Sequence, residues 1–232
     1  MSDIASALVS VRARIDAACK AAGRDPASVR LLAVSKTRPA GDVAEAFRAG
    51  QAAFGENYVQ EALAKILELR GLPLEWHLIG PLQSNKTAEV AAHFDWVHSV
   101  DRLKIARRLA GQRPSSLPPL QVCLQVNIDG EDSKSGCAPA EAESLAREIV
   151  SSMPSLRLRG LMAIPRPDNP AAFAALAALR ERLLEKIPAL SPEVFDTLSM
   201  GMSADLEDAI RAGSTMVRIG TAVFGERVRG QV

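Results

Sequence analysis

The feature that most constrains this sequence is an alternation of short apolar runs with segments of helical period, repeated eight times. The runs occupy residues 30–34, 52–54, 75–79, 95–100, 120–126, 158–164, 194–200 and 216–219. Helix-like segments lie near 41–49, 57–69, 84–92, 101–112, 139–152, 171–187 and 203–212, and a last short one begins at Thr221. Strands alternating with helices pair in parallel, and parallel strands covered on both faces read as continuous apolar runs. Eight such units predict an α/β fold, a (β/α)₈ barrel. The competing open, doubly wound sheet lacks its Gly-rich fingerprint after the first strand. Ahead of the first run, residues 3–22 bring Ile4, Leu8, Val11, Ile15 and Ala18 to one face, which predicts an extra N-terminal helix.

No composition break divides the chain, so it reads as one domain over residues 1–232. PSSLPPL at 114–120 is a loop too short to separate domains, and PRPDNPAAF at 165–173 is a loop that starts a helix, with Asn169 as N-cap and Pro170 at the first position. A formal charge of +1 gives no bulk attraction to nucleic acid or an anionic membrane. No apolar run approaches the roughly 20 residues needed to span a bilayer. Asp3, Arg12, Arg14 and Asp16 interrupt the N-terminal helix, unlike a signal peptide. Cys19, Cys123 and Cys137 are odd in number and widely spaced, which predicts single buried thiols, no metal site and a reducing cytoplasm.

In a barrel of this kind the loops after the strands form the active face. Lys36 follows the first run, Gly55-Glu56-Asn57-Tyr58 the second, and a polar loop containing Lys134 the fifth. Lys134 reads as a surface charge or as part of a lid. Ser199-Met200-Gly201-Met202-Ser203 follows the seventh run, and Gly220 and Thr221 open a short helix after Arg218 in the eighth. Phosphate sites in such barrels are often built from the last two loops and a helix N-terminus, whose N–H groups lack intrahelical partners. Ser203 has two readings, N-cap and phosphate donor, and spacing favours the cap. Strands one and eight adjoin in a closed barrel, so an amine after the first faces an anion cradle after the eighth. That pair suits a phosphorylated aldehyde held as a Schiff base, as pyridoxal 5'-phosphate (PLP) is held; a solvated strand-end lysine is the plainer alternative. Among the histidines, His77 reads as a core or barrel-lining residue and His93 as exposed. His98 reads as a donor behind the residues that touch a ligand, and no two fall at metal-ligand spacing.

The segments VSKTRP, AFGENYVQE, WHLIGPLQSNK, HSVD, VNIDGEDSKSG, LRGLMAIP, LSMGMSADLEDAI and MVRIGTAVFGER occur in that order. Together they resemble the YggS/PROSC family of PLP-binding homeostasis proteins, over residues 28–227. The resemblance implies a fold-type III barrel, similar to that of alanine racemases but without their second domain. It implies PLP on Lys36, Asn57 near the cofactor, Met200, Ser203, Gly220 and Thr221 at the phosphate, and Arg218 facing the pyridine nitrogen. Arg38 departs from the pattern, which often has a second lysine there, and so does the tail ERVRGQV.

Arg218 is permanently charged and can only donate, so it should leave the ring nitrogen unprotonated and weaken the electron sink. Alanine racemases take a second base, a tyrosine, from another domain of the partner subunit. Here the one tyrosine is Tyr58, and no residues remain after 232 for such a domain. The expectation is therefore a cytoplasmic, monomeric protein without turnover of its own, which holds, buffers or delivers PLP and meets apo-enzymes transiently. The alternatives are a small amino-acid racemase and a phosphate-binding barrel in which Lys36 forms a sugar Schiff base.

Overall fold

A computed structural model describes residues 4–131, 135–169 and 171–226. Its eight strands are β1 (Arg30–Val34), β2 (Ala53–Glu56), β3 (Glu75–Leu78), β4 (Trp96–Val100), β5 (Leu120–Gln125), β6 (Leu156–Met162), β7 (Thr197–Ser199) and β8 (Met216–Ile219). They close in chain order into a parallel barrel. The closing seam pairs Leu32 with Arg218 and Ala33 with Ile219, which sets the end of β1 beside the end of β8.

Helices surround the sheet: α1 (Ile4–Ala21), α2 (Ala40–Arg48), α3 (Val59–Glu68), α4 (Thr87–His93), α5 (Leu103–Gln112), α6 (Ala142–Ser152), α7 (Ala171–Lys186), α8 (Leu206–Arg211) and α9 (Thr221–Phe224). The extra helix α1 buries the anticipated stripe of Ile4, Leu8, Val11, Ile15 and Ala18. It packs on α2, α8 and α9. The main core lies between helices and strands, with Phe54, Phe94, Phe195, Leu78 and Leu124 fully enclosed. Burying each such side chain favours folding by about 1.5–3 kcal/mol.

Three of the boundaries that differ from the sequence reading have a plain physical reason. β2 extends through Gly55 and Glu56, because the Glu56 carboxylate finds a buried cation and can stay in the sheet. β7 is confined to Thr197–Ser199; Val194 and Phe195 close a turn on Ser191, and Phe195 enters the core from that turn. α8 begins at Leu206 with Asp205 as N-cap, so Ser203 is not the cap that its position suggested but lies in the preceding turn. Lys134, Pro170 and the tail beyond Glu226 lie outside the described residues. The Asn169 amide donates to Asp129 Oδ1 at 2.7 Å.

Candidate functional site

Lys36 sits half-buried in the turn that leaves β1. The next residue, Thr37, has φ of 63°, the one positive φ at a described residue other than glycine. A β-branched residue in that region is strained and persists only where its surroundings impose it. Here the Thr37 N–H donates to Glu61 Oε1 at 2.6 Å, and Arg38 N–H donates to the Ser35 carbonyl at 3.0 Å.

Beneath this turn lies a buried polar cluster. Lys65 Nζ donates to the Ser35 carbonyl at 2.6 Å and to Glu56 Oε1 at 2.7 Å, and it pairs with Glu61 one helical turn earlier at 2.7 Å. The Ser35 hydroxyl donates to the same Glu56 oxygen at 2.5 Å. Burial pushes the Glu56 carboxyl above the usual carboxylate range, against the pull of Lys65. Arg38 reaches the other way and donates to the Gly225 and Glu226 carbonyls just past α9. The departure at position 38 thus ties the lysine turn to the helix that follows β8.

That helix supplies the anion-facing backbone. Gly220 precedes α9 with no side-chain cap, and the first-turn N–H groups of a helix have no intrahelical partners. A Cβ at Gly220 would lie 3.3 Å from the Val34 carbonyl oxygen, so the loop after β8 runs tight against the end of β1. Thr221 is exposed and Ser203 partly so. The Ser203 turn is anchored by α1, since Arg14 donates to the Ser203 carbonyl at 2.8 Å and grips Glu207 with two nitrogens at 2.5 and 2.7 Å. Gly201 has φ of 94°, and a Cβ there would strike Ala209 Cβ at 2.5 Å, so the loop needs glycine at this position. The Met200 side chain is fully buried in the core, its N–H donates to Met216 and its carbonyl accepts from Ser214. Met200 therefore stands behind the loop with its backbone groups already bonded.

Asn57 follows β2 and helps line a hollow at the barrel mouth with Ile79, Gly80, Asn127 and Ile164. Its Oδ1 is buried without a hydrogen-bond partner among the described residues. A Cβ at Gly80 would meet the Asn57 carbonyl oxygen at 2.3 Å, so a glycine holds the asparagine in place.

Arg218 points inward from β8 and is buried. Nη1 donates to the Ser199 carbonyl at 2.5 Å and hydroxyl at 2.9 Å, and Nη2 donates to the Ala163 carbonyl at 2.9 Å. Burial lowers the guanidinium to about 10, which still leaves it charged at neutral pH. His77 and His98 are both buried in the barrel, whereas His93 is exposed at the end of α4. His98 bonds Ser199 and so reaches Arg218 through one hydroxyl. Tyr58 is well exposed ahead of α3. Sequence reasoning missed the Glu56–Lys65 cluster; its one visible signal was Glu61 and Lys65 at i,i+4 on α3.

Lys36, Ser203, Gly220 and Thr221 thus come from the loops after β1, β7 and β8, with Arg218 behind them and Asn57 after β2. An amine, an uncapped helix start and a buried donor on one barrel rim can bind an anionic carbonyl compound.

Comparison with known proteins gives one consistent result. The sequence profile of the alanine racemase N-terminal domain matches residues 7–228. The chain is 62% identical over 232 residues to the pyridoxal phosphate homeostasis protein of Pseudomonas aeruginosa, covering 99% of this chain and 98% of that one. It is 54% identical over 239 residues to the protein of the same name from Escherichia coli, covering 98% of each. The solved structure of PipY from Synechococcus elongatus with PLP bound superposes with a TM-score of 0.82 at 38% identity, over 96% of this chain and 100% of that one. Alanine racemase from Corynebacterium glutamicum shares the fold, with a TM-score of 0.63 at 18% identity, over 97% of this chain and 64% of that one.

Proposed function

Because the chain belongs to the family of pyridoxal phosphate homeostasis proteins, built on the alanine racemase N-terminal barrel, we propose that it binds pyridoxal 5'-phosphate on Lys36 and serves intracellular PLP homeostasis. The observation that carries this reading is the β1–β8 seam: it sets the Lys36 turn beside the Gly220–Thr221 helix start, and Arg38 bonds the two together.

The residues present fit the cofactor. PLP supplies an aldehyde, a ring nitrogen and a phosphate, and the barrel rim offers a counterpart to each. Lys36 provides the amine. Gly220 and Thr221 provide backbone N–H groups and, at Thr221, a hydroxyl, and Ser203 adds a second hydroxyl. Arg218 retains donors for the ring nitrogen. The unpartnered Oδ1 of Asn57 is a buried acceptor that a ligand donor would satisfy, as buried polar atoms require. Met200 supports the phosphate side from behind.

The protein acts as a cytoplasmic, monomeric carrier that buffers PLP or passes it to apo-enzymes in transient encounters, without turnover of its own. Two features favour a carrier over a racemase. Arg218 can only donate, so it cannot hold the ring nitrogen protonated and the electron sink is weak, and Tyr58, the one tyrosine, is exposed at the start of α3. The test is the absorption spectrum of the purified protein before and after borohydride. A band near the visible edge that reduction abolishes, with the pyridoxyl mass on the Lys36 peptide, is expected. Absence of the band after incubation with PLP, or a label confined to Lys86, overturns the reading.

A further inference from the structure

A continuous line of hydrogen bonds runs through the barrel from its amino-terminal end to Arg218. Glu75, the first residue of β3, lies 2.6 Å from His77 Nε2; its Oε1 also accepts from Arg30 at 2.7 Å. His77 Nδ1 lies 2.9 Å from His98 Nε2, and His98 Nδ1 lies 2.9 Å from the Ser199 hydroxyl, which Arg218 Nη1 reaches at 2.9 Å. Both imidazoles and Ser199 are essentially closed to solvent. The rings are also clamped: His77 stacks on Trp96 with centroids 5.2 Å apart and an 11° interplanar angle, and the Arg159 guanidinium lies over Trp96 at 4.8 Å.

The two ends of this line fix its direction. An ionised carboxylate only accepts, so His77 carries its proton on Nε2. In a neutral ring Nδ1 is then bare, and His98 must donate to it from Nε2. His98 Nδ1 is bare in turn, so the Ser199 hydroxyl donates to it and accepts from Arg218, which can only donate. Every donor in the line therefore points toward Glu75. Burial keeps both imidazoles neutral, lowering His77 despite Glu75 and His98 further.

We propose that Glu75, His77, His98 and Ser199 are positioning residues for Arg218, a one-way hydrogen-bond chain that fixes how the guanidinium spends its donors. A buried guanidinium is costly unless its charge and N–H groups are met. Among the described residues no carboxylate lies at ion-pair distance from Arg218; its partners are two carbonyls and one hydroxyl. The aligned dipoles of the chain oppose its charge and connect it to the carboxylate of Glu75. Three of the five guanidinium N–H groups are spent in those contacts, and the other two are left for a ligand. The role assigned to those donors at the PLP ring nitrogen rests on the proposed function; the chain itself does not.

The experiment uses the full chain in two states. In the protein without cofactor, long-range ¹H–¹⁵N correlation spectra read the tautomer of each buried imidazole. Single Nε2–H tautomers at both His77 and His98 are expected. In Glu75→Ala, water replaces the fixed acceptor and both rings should become tautomer mixtures, including His98, which Glu75 does not touch. Glu75→Gln keeps an acceptor oxygen and should restore single tautomers. An Nδ1–H tautomer at His98 in the wild type, or a His98 indifferent to Glu75→Ala, overturns the proposal. With PLP bound, Ser199→Ala should shift the absorption maximum and the ring-nitrogen ¹⁵N resonance while Ser199→Thr restores both. If Ser199→Ala leaves both where they were, the chain does not act on Arg218. A wild-type protein that acquires no PLP band defeats the proposed function but leaves the tautomer tests to decide the chain.

Discussion

Lys65 Nζ lies 2.6 Å from the carbonyl oxygen of Ser35, so a buried ammonium from α3 holds the strand end from which Lys36 departs. Lys65 is also bonded to Glu56 and Glu61, and Glu61 in turn fixes the strained Thr37. The cluster explains how a positive φ at a threonine is maintained beside Lys36.

Removing one partner of such a buried pair leaves an uncompensated charge. Lys65→Met should destabilise the protein by about 3–5 kcal/mol, whereas Lys65→Met combined with Glu56→Leu should recover most of that loss. Urea unfolding of the two variants checks this. If the double variant is as unstable as the single one, Glu56 is not the charge that Lys65 neutralises.

The Gly220–Thr221 helix start should bind phosphate mainly through its backbone. Thr221→Ala is then expected to weaken PLP binding by about 1 kcal/mol, the net value of one hydrogen bond. Gly220→Leu should weaken it far more, because a Cβ at that position already crowds the Val34 carbonyl at 3.3 Å. Titration of each variant with PLP, followed by absorbance, measures both effects. Equal and negligible losses would move the phosphate elsewhere.

His77 and His98 should make stability depend on pH. Burial lowers both in the folded state, with Glu75 and Asp95 opposing at His77, and Arg30 and Arg218 adding at His98. Below a pH of about 6.5 the unfolded chain binds protons that the folded rings refuse. Stability is therefore undiminished above that pH and falls as pH drops through it, by up to about 1.4 kcal/mol per pH unit for each ring. Glu75, which burial raises but the hydrogen bond from His77 and the charge of Arg30 hold down to about 2, adds a loss that begins near its unfolded value and grows as pH falls further. Denaturant unfolding between pH 7.5 and 5 should show the histidine slope, and His77→Gln with His98→Gln should flatten it.

The barrel was legible because its signal is carried by many residues at once. Eight apolar runs and the stripe on α1 agree with one architecture, and local errors at β7 or α8 do not disturb it. The positions of Lys36, Asn57, Gly220 and Thr221 on the barrel rim were legible for the same reason, since each follows a strand end. What lay hidden depends on pairs far apart in sequence. Nothing local to Ser35 indicates Lys65, and nothing near Glu75 indicates Ser199. Such pairs form only when the barrel brings β1 over α3 or sets β3 and β4 across from β7. Glu56 misled the strand boundary because a buried, paired carboxylate resembles a loop residue until its partner is known.

The protein should show no meaningful racemisation. Proton transfer on both faces of an amino acid needs two positioned bases, each typically contributing 10²–10⁴-fold. The one tyrosine, Tyr58, is more than half exposed at the start of α3. Arg218 is charged and tied to Ser199 and Ala163, and in the proposed position at the ring nitrogen it could only donate and so would disfavour protonation there. Exchange of the L-alanine α-proton in D₂O should then match the rate with free PLP, and D-alanine should not accumulate. Arg218→Glu supplies the companion measurement. If the electron sink is what limits chemistry, a carboxylate at this position should protonate the ring nitrogen and raise slow transamination, measured as pyruvate formed from alanine, in protein that still binds PLP. Robust D-alanine formation by the wild type would replace the carrier reading with the racemase one. Unchanged transamination in PLP-loaded Arg218→Glu would place the block in the missing bases instead of in the ring.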